Sequence, residues 1–202
     1  MAQKRNCKTR FINYTIYMSE ILLVTGNVHK LREWQHSMPP EVTLNSVDLD
    51  LPELQSDDAR EIVTDKAQRA YAVVEKPVIV EDVSAGLIEL GGLPGPFIKF
   101  FMKILGQSAL YQLAGNKDGA QAVVSCAATY YDGQQTISVT GDVTGTIVSP
   151  RGDSTFGFDV TFIPDGYEQT YAEMDTALKS KISHRALAIE KMLIELKHNN
   201  LV

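Results

Sequence analysis

Four short stretches of the sequence carry residue types suited to phosphate, a metal ion and a planar base. In Thr25-Gly26-Asn27 with Lys30, the glycine lets the backbone approach an anion, a helix start offers N–H groups and the lysine adds a point charge. That is a polyphosphate cradle, although an ordinary turn before a helix, with a solvated lysine, has the same look. Glu53 in Leu51-Pro52-Glu53-Leu54 and Asp82 in Glu81-Asp82 are two carboxylates. Magnesium binds through one or two carboxylates together with substrate phosphates and water, so the pair would make a half-site; a surface charge and a loop cap are the plainer account. Ser183-His184-Arg185 opens a helix, where serine is a credible N-cap but two cations oppose the dipole and call for an anionic or acceptor partner. Phe156-Gly157-Phe158-Asp159 offers aromatic rings that either stack on a base or join a satellite core.

The elements that must position these residues follow from hydrophobic periodicity. Ile21-Leu22-Leu23-Val24 reads as a short buried strand running into the Thr25-Gly26-Asn27 turn, with a helix expected over 28–37 and stopped by Pro39-Pro40. A second strand is expected over 42–49 and a helix over 57–75, where Ile62, Val63, Ala67, Ala70 and Val74 recur at three- and four-residue steps. Val78-Ile79-Val80 gives a third strand ending in Glu81-Asp82, so that two adjacent carboxylates point to opposite faces and only one need enter a cleft. Strand, helix, strand, helix, strand predicts an α/β fold with a parallel sheet whose ligands sit beyond the strand ends. Gly91-Gly92-Leu93-Pro94-Gly95-Pro96 is a rigid loop before an apolar helix over 97–105. A hairpin over 122–131 and 135–139 turns at Asp132-Gly133, a strand follows over 144–148, and a last helix spans 183–197. The expected architecture is one mixed α/β domain over 18–202, with two lobes around a central cleft and a disordered extension over 1–17.

Composition bounds the function. Nineteen Lys plus Arg against 25 Asp plus Glu, a formal charge of −6, gives no bulk attraction for a nucleic-acid polymer or anionic lipid, so anion binding must be local. Apolar runs are only a handful of residues long, which predicts no membrane span. Two cysteines, Cys7 and Cys126, argue against a disulfide framework and for a reducing, cytoplasmic setting. No G-x-x-x-x-G-K-[ST], G-x-G-x-x-G, H-E-x-x-H, C-x-x-C or G-x-S-x-G occurs, which sets aside the common kinases, dehydrogenases, zinc hydrolases and serine hydrolases.

In order and spacing the motifs resemble the inosine triphosphate pyrophosphatase family, most closely its eukaryotic type. They are Thr25-Gly26-Asn27 with Lys30, Leu49-Asp50-Leu51-Pro52-Glu53, Glu81-Asp82, Gly91 to Lys99, Phe156-Gly157-Phe158-Asp159, Pro164 to Met174 and Ser183-His184-Arg185. The resemblance implies an elongated two-lobed mixed sheet flanked by helices and a homodimer. It also implies Mg2+ dependence, with Mn2+ as a substitute, and hydrolysis of noncanonical purine nucleoside triphosphates (ITP, dITP, XTP) to the monophosphate and pyrophosphate. It makes Asp82 the catalytic aspartate, Glu53 a metal-associated carboxylate, and Thr25, Gly26, Asn27, Lys30, Lys66, Lys99 and Lys179 the triphosphate surroundings. Phe156, Gly157, Phe158 and Asp159 become the base loop, and His184 with Arg185 the readers of the purine edge. Val83 stands where the family has Ser or Thr after the aspartate, and Val160 where proline is usual. The first departure keeps open an impaired nucleotide binder of the same fold; a pyrophosphatase of different base preference is the other alternative.

Overall fold

The structure, a computed structural model, describes residues 19–154 and 157–202. The expected extension over 1–17, Cys7 and Phe156 lie outside the described residues.

Seven strands form one open mixed sheet in the order β2-β1-β3-β5-β6-β7, with β4 on the far part of β3. Strand β1 (Ser19–Val24) feeds helix α1 (Val28–Ser37), and β2 (Val42–Val47) returns parallel to β1. Helix α2 (Ala59–Val74) crosses to β3 (Val78–Leu87), which also runs parallel to β1. After a 3-10 turn at Ile88–Leu90 come β4 (Pro94–Gly95), α3 (Ile98–Leu105) and α4 (Ala109–Leu113). The long hairpin β5 (Ala120–Tyr131) and β6 (Thr136–Ile147) is antiparallel, as are its pairings with β3 and β7 (Phe162–Pro164). Helices α5 (Thr176–Ile182) and α6 (His184–His198) end the chain.

Alternation along β3 assigns the two faces. Val78 and Val80 pack with Val63, Ala67 and Ala70 of α2. Ile79, pointing the other way, packs with Trp34 of α1 and with Ile189, Met192 and Leu196 of α6. A third cluster, including Leu110, Val124, Ile147, Phe162 and Tyr171, fills the far half of the sheet. Strands covered on both faces are expected to be nearly continuous in apolar residues, and the centre of β3 is buried throughout from Val78 to Glu81.

The expected mixed α/β architecture is observed, with three differences of detail. Strand β3 does not stop at Glu81-Asp82; it continues to Leu87 because every residue from Val78 to Leu87 pairs with β5. The separate strand expected over 144–148 is the far half of β6, which runs unbroken through Gly141 and Gly145 along β5. Helices α4 and α5, of five and seven residues, are too short to impose a readable period. At the hairpin tip Asp132 Oδ1 accepts from the N–H groups of Gln134 and Gln135, while Gly133 takes φ 93°, the conformation that a tight reversal requires of glycine.

Candidate nucleotide site

The turn after β1 is organised by its own side chains. Thr25 Oγ1 accepts from the Asn27 N–H, and Asn27 Oδ1 accepts from the N–H groups of His29 and Lys30, which caps α1. A side chain at Gly26 would meet the Asp48 carboxylate at 2.6 Å, so glycine keeps this turn close to β2. Lys30, one turn into α1, then reaches Glu81 of β3 at 3.1 Å.

Continued alternation past Ile79 and Val80 sends Glu81 toward α6 and Asp82 toward α2. Glu81 is buried and takes the Arg185 Nε–H on both oxygens at 2.9 and 3.1 Å, with the Trp34 indole N–H at 2.6 Å on Oε2. Arg185 Nη1 also donates to both Glu33 oxygens at 3.2 and 3.1 Å. The cation that opposes the α6 dipole thus has two carboxylates in front of it. Burial alone would raise the Glu81 pKa, but the charges of Arg185 and Lys30 and the Trp34 donor overcome it and hold it at about 2. Removing one member of such a buried pair leaves an uncompensated charge and costs about 3–5 kcal/mol.

Asp82 differs from its neighbour. Burial pushes its carboxyl above the usual aspartate range, with Lys30 pulling the other way. It lines a cavity of about 140 Å³ together with Glu53, Lys99 and Phe97. Glu53 pairs with Lys66 at 3.0 Å and with Lys99. Its burial acts upward, but hydrogen bonds from Lys99 and Lys66 leave its pKa lowered. Two carboxylates on one small cavity, one of them raised in pKa, fit a divalent cation. Among the described residues no group of three or more His, Cys, Asp or Glu could hold a metal by itself, so such an ion would need oxygens from water or substrate to complete its shell.

A larger cleft of about 380 Å³ opens beside this cavity and shares Asp82 and Lys99 with it. Its wall includes Asn27 at the cap of α1 and Lys30 within it, Gly157, Phe158 and Asp159 from the loop before β7, Lys179 from α5, and His184 and Arg185 from α6. Asp159 pairs with Lys179, which stands 5.4 Å from the Tyr171 ring centroid. Phe158 is buried against Phe162 and His184, with centroids at 6.3 and 5.8 Å. Burial first, then the nearby charges of Arg185 and Lys179, lower the His184 pKa to about 3, so the imidazole is neutral. Its Nδ1 is buried with no hydrogen-bond partner among the described residues.

Most residues expected from the sequence therefore converge. Asn27, Lys30, Asp82, Lys99, Gly157, Phe158, Asp159, Lys179, His184 and Arg185 line one cleft, with Glu53 on the adjoining cavity and Lys66 joined to it through Glu53. Thr25 and Gly26 shape the turn behind Asn27 rather than the cleft wall. Sequence reasoning missed Glu33, Trp34 and Glu81 as the partners of the cleft cations. Its one usable signal was the cationic start of α6, which required an acceptor somewhere in the fold.

Fold and cleft define an α/β protein with a cation-rich pocket at the carboxyl ends of its parallel strands, flanked by two carboxylates. Residues 21–195 match the family model described as Ham1 family. An inosine triphosphate pyrophosphatase of Batrachochytrium dendrobatidis is 41% identical over 89% of this chain and 96% of its own length. One of Pyricularia oryzae is 44% identical over 84% of this chain and 89% of its own. The Staphylococcus aureus Ham1 protein superposes with a TM-score of 0.79 at 24% identity, covering 90% of this chain and all of that one. The chain belongs to the Ham1 family.

Proposed function

We propose that this protein hydrolyses noncanonical purine nucleoside triphosphates, of the ITP, dITP and XTP class, to the monophosphate and pyrophosphate. The observation that carries the reading is that Asp82, Lys30 and Arg185, from three separate elements, line a single cleft. The activity for which its relatives are named agrees with it.

The chain's own residues account for the reaction as follows. Lys30, Lys99 and Lys179 surround the triphosphate and meet the negative charge that moves onto the leaving pyrophosphate, which lowers the barrier most where water is excluded. Asp82, with its carboxyl raised by burial, orients the attacking water and accepts its proton more readily than an ordinary aspartate does. Glu53 and Asp82 would hold Mg2+, or Mn2+ in its place; bound there, the ion draws charge from phosphate oxygens and acidifies water. Lys66 and Lys99 balance the charge of Glu53. At the other end Arg185 offers only donors. A purine 6-keto oxygen accepts from them, whereas the 6-amino group of adenine sets donor against donor, and such mismatches are rejected strongly.

Val83 lines the cleft beside Asp82 where the family resemblance leads one to expect a hydroxyl. That observation supports a second reading, a nucleotide binder without turnover. A homodimer and a cytoplasmic setting complete the proposal; among the described residues no helix is long and apolar enough to cross a membrane.

Pyrophosphate release with Mg2+ from ITP, XTP, GTP, ATP and dUTP tests the reading. We expect kcat/KM for ITP to exceed that for ATP by about a hundredfold or more, in keeping with a site that pairs donors to a keto oxygen. Tight ITP binding with no pyrophosphate released would establish the binder instead, and a preference for dUTP would move the activity to a different base.

A further inference from the structure

The buried cluster behind the cleft has an order in which each group fixes the next. The Trp34 ring is completely buried against Ile21, Leu23, Ile189, Met192 and Leu196, so the core determines where its indole N–H points. That N–H donates to Glu81 Oε2 at 2.6 Å. Glu81 in turn accepts the Arg185 Nε–H on both oxygens and pairs with Lys30 through Oε1 at 3.1 Å. Lys30 and Arg185 come from opposite ends of the chain and line the same cleft. One carboxylate thereby sets the separation between an ammonium and a guanidinium that must engage different parts of a ligand.

We propose that Glu81, oriented by Trp34, is the positioning residue for base recognition: it fixes the guanidinium of Arg185 relative to the ammonium of Lys30, so that only a nucleotide satisfying both at once is held. This rests on the function proposed above. Neither Glu81 nor Trp34 lines the cleft, so both act through Arg185 and Lys30. A hydrogen bond to a charged group is directional and among the stronger kinds. Its loss leaves Glu81 held by Arg185 and Lys30 alone, so the carboxylate no longer has a reference fixed by the core and the guanidinium on it is less closely placed.

The test uses Trp34→Phe, which keeps an aromatic ring in the core, though a smaller one, and removes the donor, and Glu81→Gln, which places an amide against cationic donors. The ITP-to-ATP ratio of kcat/KM is expected to fall about tenfold in Trp34→Phe, the size of one charged hydrogen bond, and further in Glu81→Gln. In an Arg185→Ala background Trp34→Phe is expected to leave the remaining ratio unchanged, because the guanidinium it orients is gone. A structural role alone would lower both substrates together and leave the ratio intact. An unchanged ratio in folded Trp34→Phe, or an effect that persists without Arg185, overturns the proposal. Should Glu81→Gln fail to fold, Trp34→Phe still decides. Wild-type protein that releases no pyrophosphate from ITP defeats the assigned reaction, while the IMP-to-AMP affinity ratio in the same variants reads the relay without turnover.

Discussion

Glu81 and Asp82 are consecutive in one strand, yet their surroundings drive their acidities apart, because the pleat hands Glu81 to a cluster of cationic donors and Asp82 to a cavity shared with another carboxylate. Glu81, fully engaged, has no role left in proton transfer; Asp82, the more basic of the two, is suited to it. Asp82→Asn is therefore expected to reduce turnover of ITP by about 10²–10⁴-fold, the usual contribution of a positioned general base, with the thermal unfolding midpoint retained. Turnover near the wild-type rate would strip Asp82 of that role. At this scale the sequence was informative wherever a residue announces itself by local context. Asn27 before a helix, His184 and Arg185 at a helix start, and Asp82 after an apolar run all belong to that class. Glu33 and Trp34 gave no such signal. In sequence they are one polar and one apolar position of α1, and their significance comes from Arg185, which is 152 residues away from Glu33.

Between elements, the placement of α6 on β6 determines where His184 and Arg185 can be. A side chain at Gly141 would meet the His184 carbonyl oxygen at 2.2 Å and the Ala188 nitrogen at 2.4 Å, both backbone atoms. The first turn of α6 therefore lies directly on the strand, and no rotamer change can make room for a methyl group. Gly141→Ala is expected to lose about 1–3 kcal/mol, the range for overpacking a tight contact, and to lower activity on ITP as the start of α6 shifts away from Glu81. Urea denaturation and the ITP rate measured on one preparation check both parts; wild-type values for both would show that the helix yields without consequence. This contact also explains what could be read of the elements. The parallel β1-α1-β2-α2-β3 unit and the terminal helix were legible because each has a buried stripe of its own. Strands β3 and β6 were read too short because their polar and glycine positions, among them Glu81, Asp82 and Gly141, break the apolar pattern where the cleft and α6 need them.

For the whole molecule, the site makes stability depend on pH with a definite sign. His184 stays neutral in the fold down to about pH 3, held there by burial and by Arg185 and Lys179, whereas its ordinary value is 6.5. Between those limits the unfolded chain binds the additional proton, so stability falls as the pH drops through 6.5. Glu81 acts in the same direction but lower, since its stabilising effect is present above its ordinary 4.5 and is lost as the pH falls toward about 2. Asp82, raised above its ordinary 3.8, works the opposite way in the carboxylate range, and relief of the −6 net charge also favours the fold on acidification. From pH 7.5 to 5, His184 is thus the group among these that drives a loss, of about 2 kcal/mol by the usual conversion of pKa difference to free energy. Urea denaturation at pH 7.5, 6 and 5 should show this decline, and His184→Gln, which cannot be protonated, should flatten it. A wild-type curve that is level over this range, or a slope that survives His184→Gln, would mean that the imidazole is not held neutral beside Arg185 and that base recognition at this end of the cleft has a different protonation state.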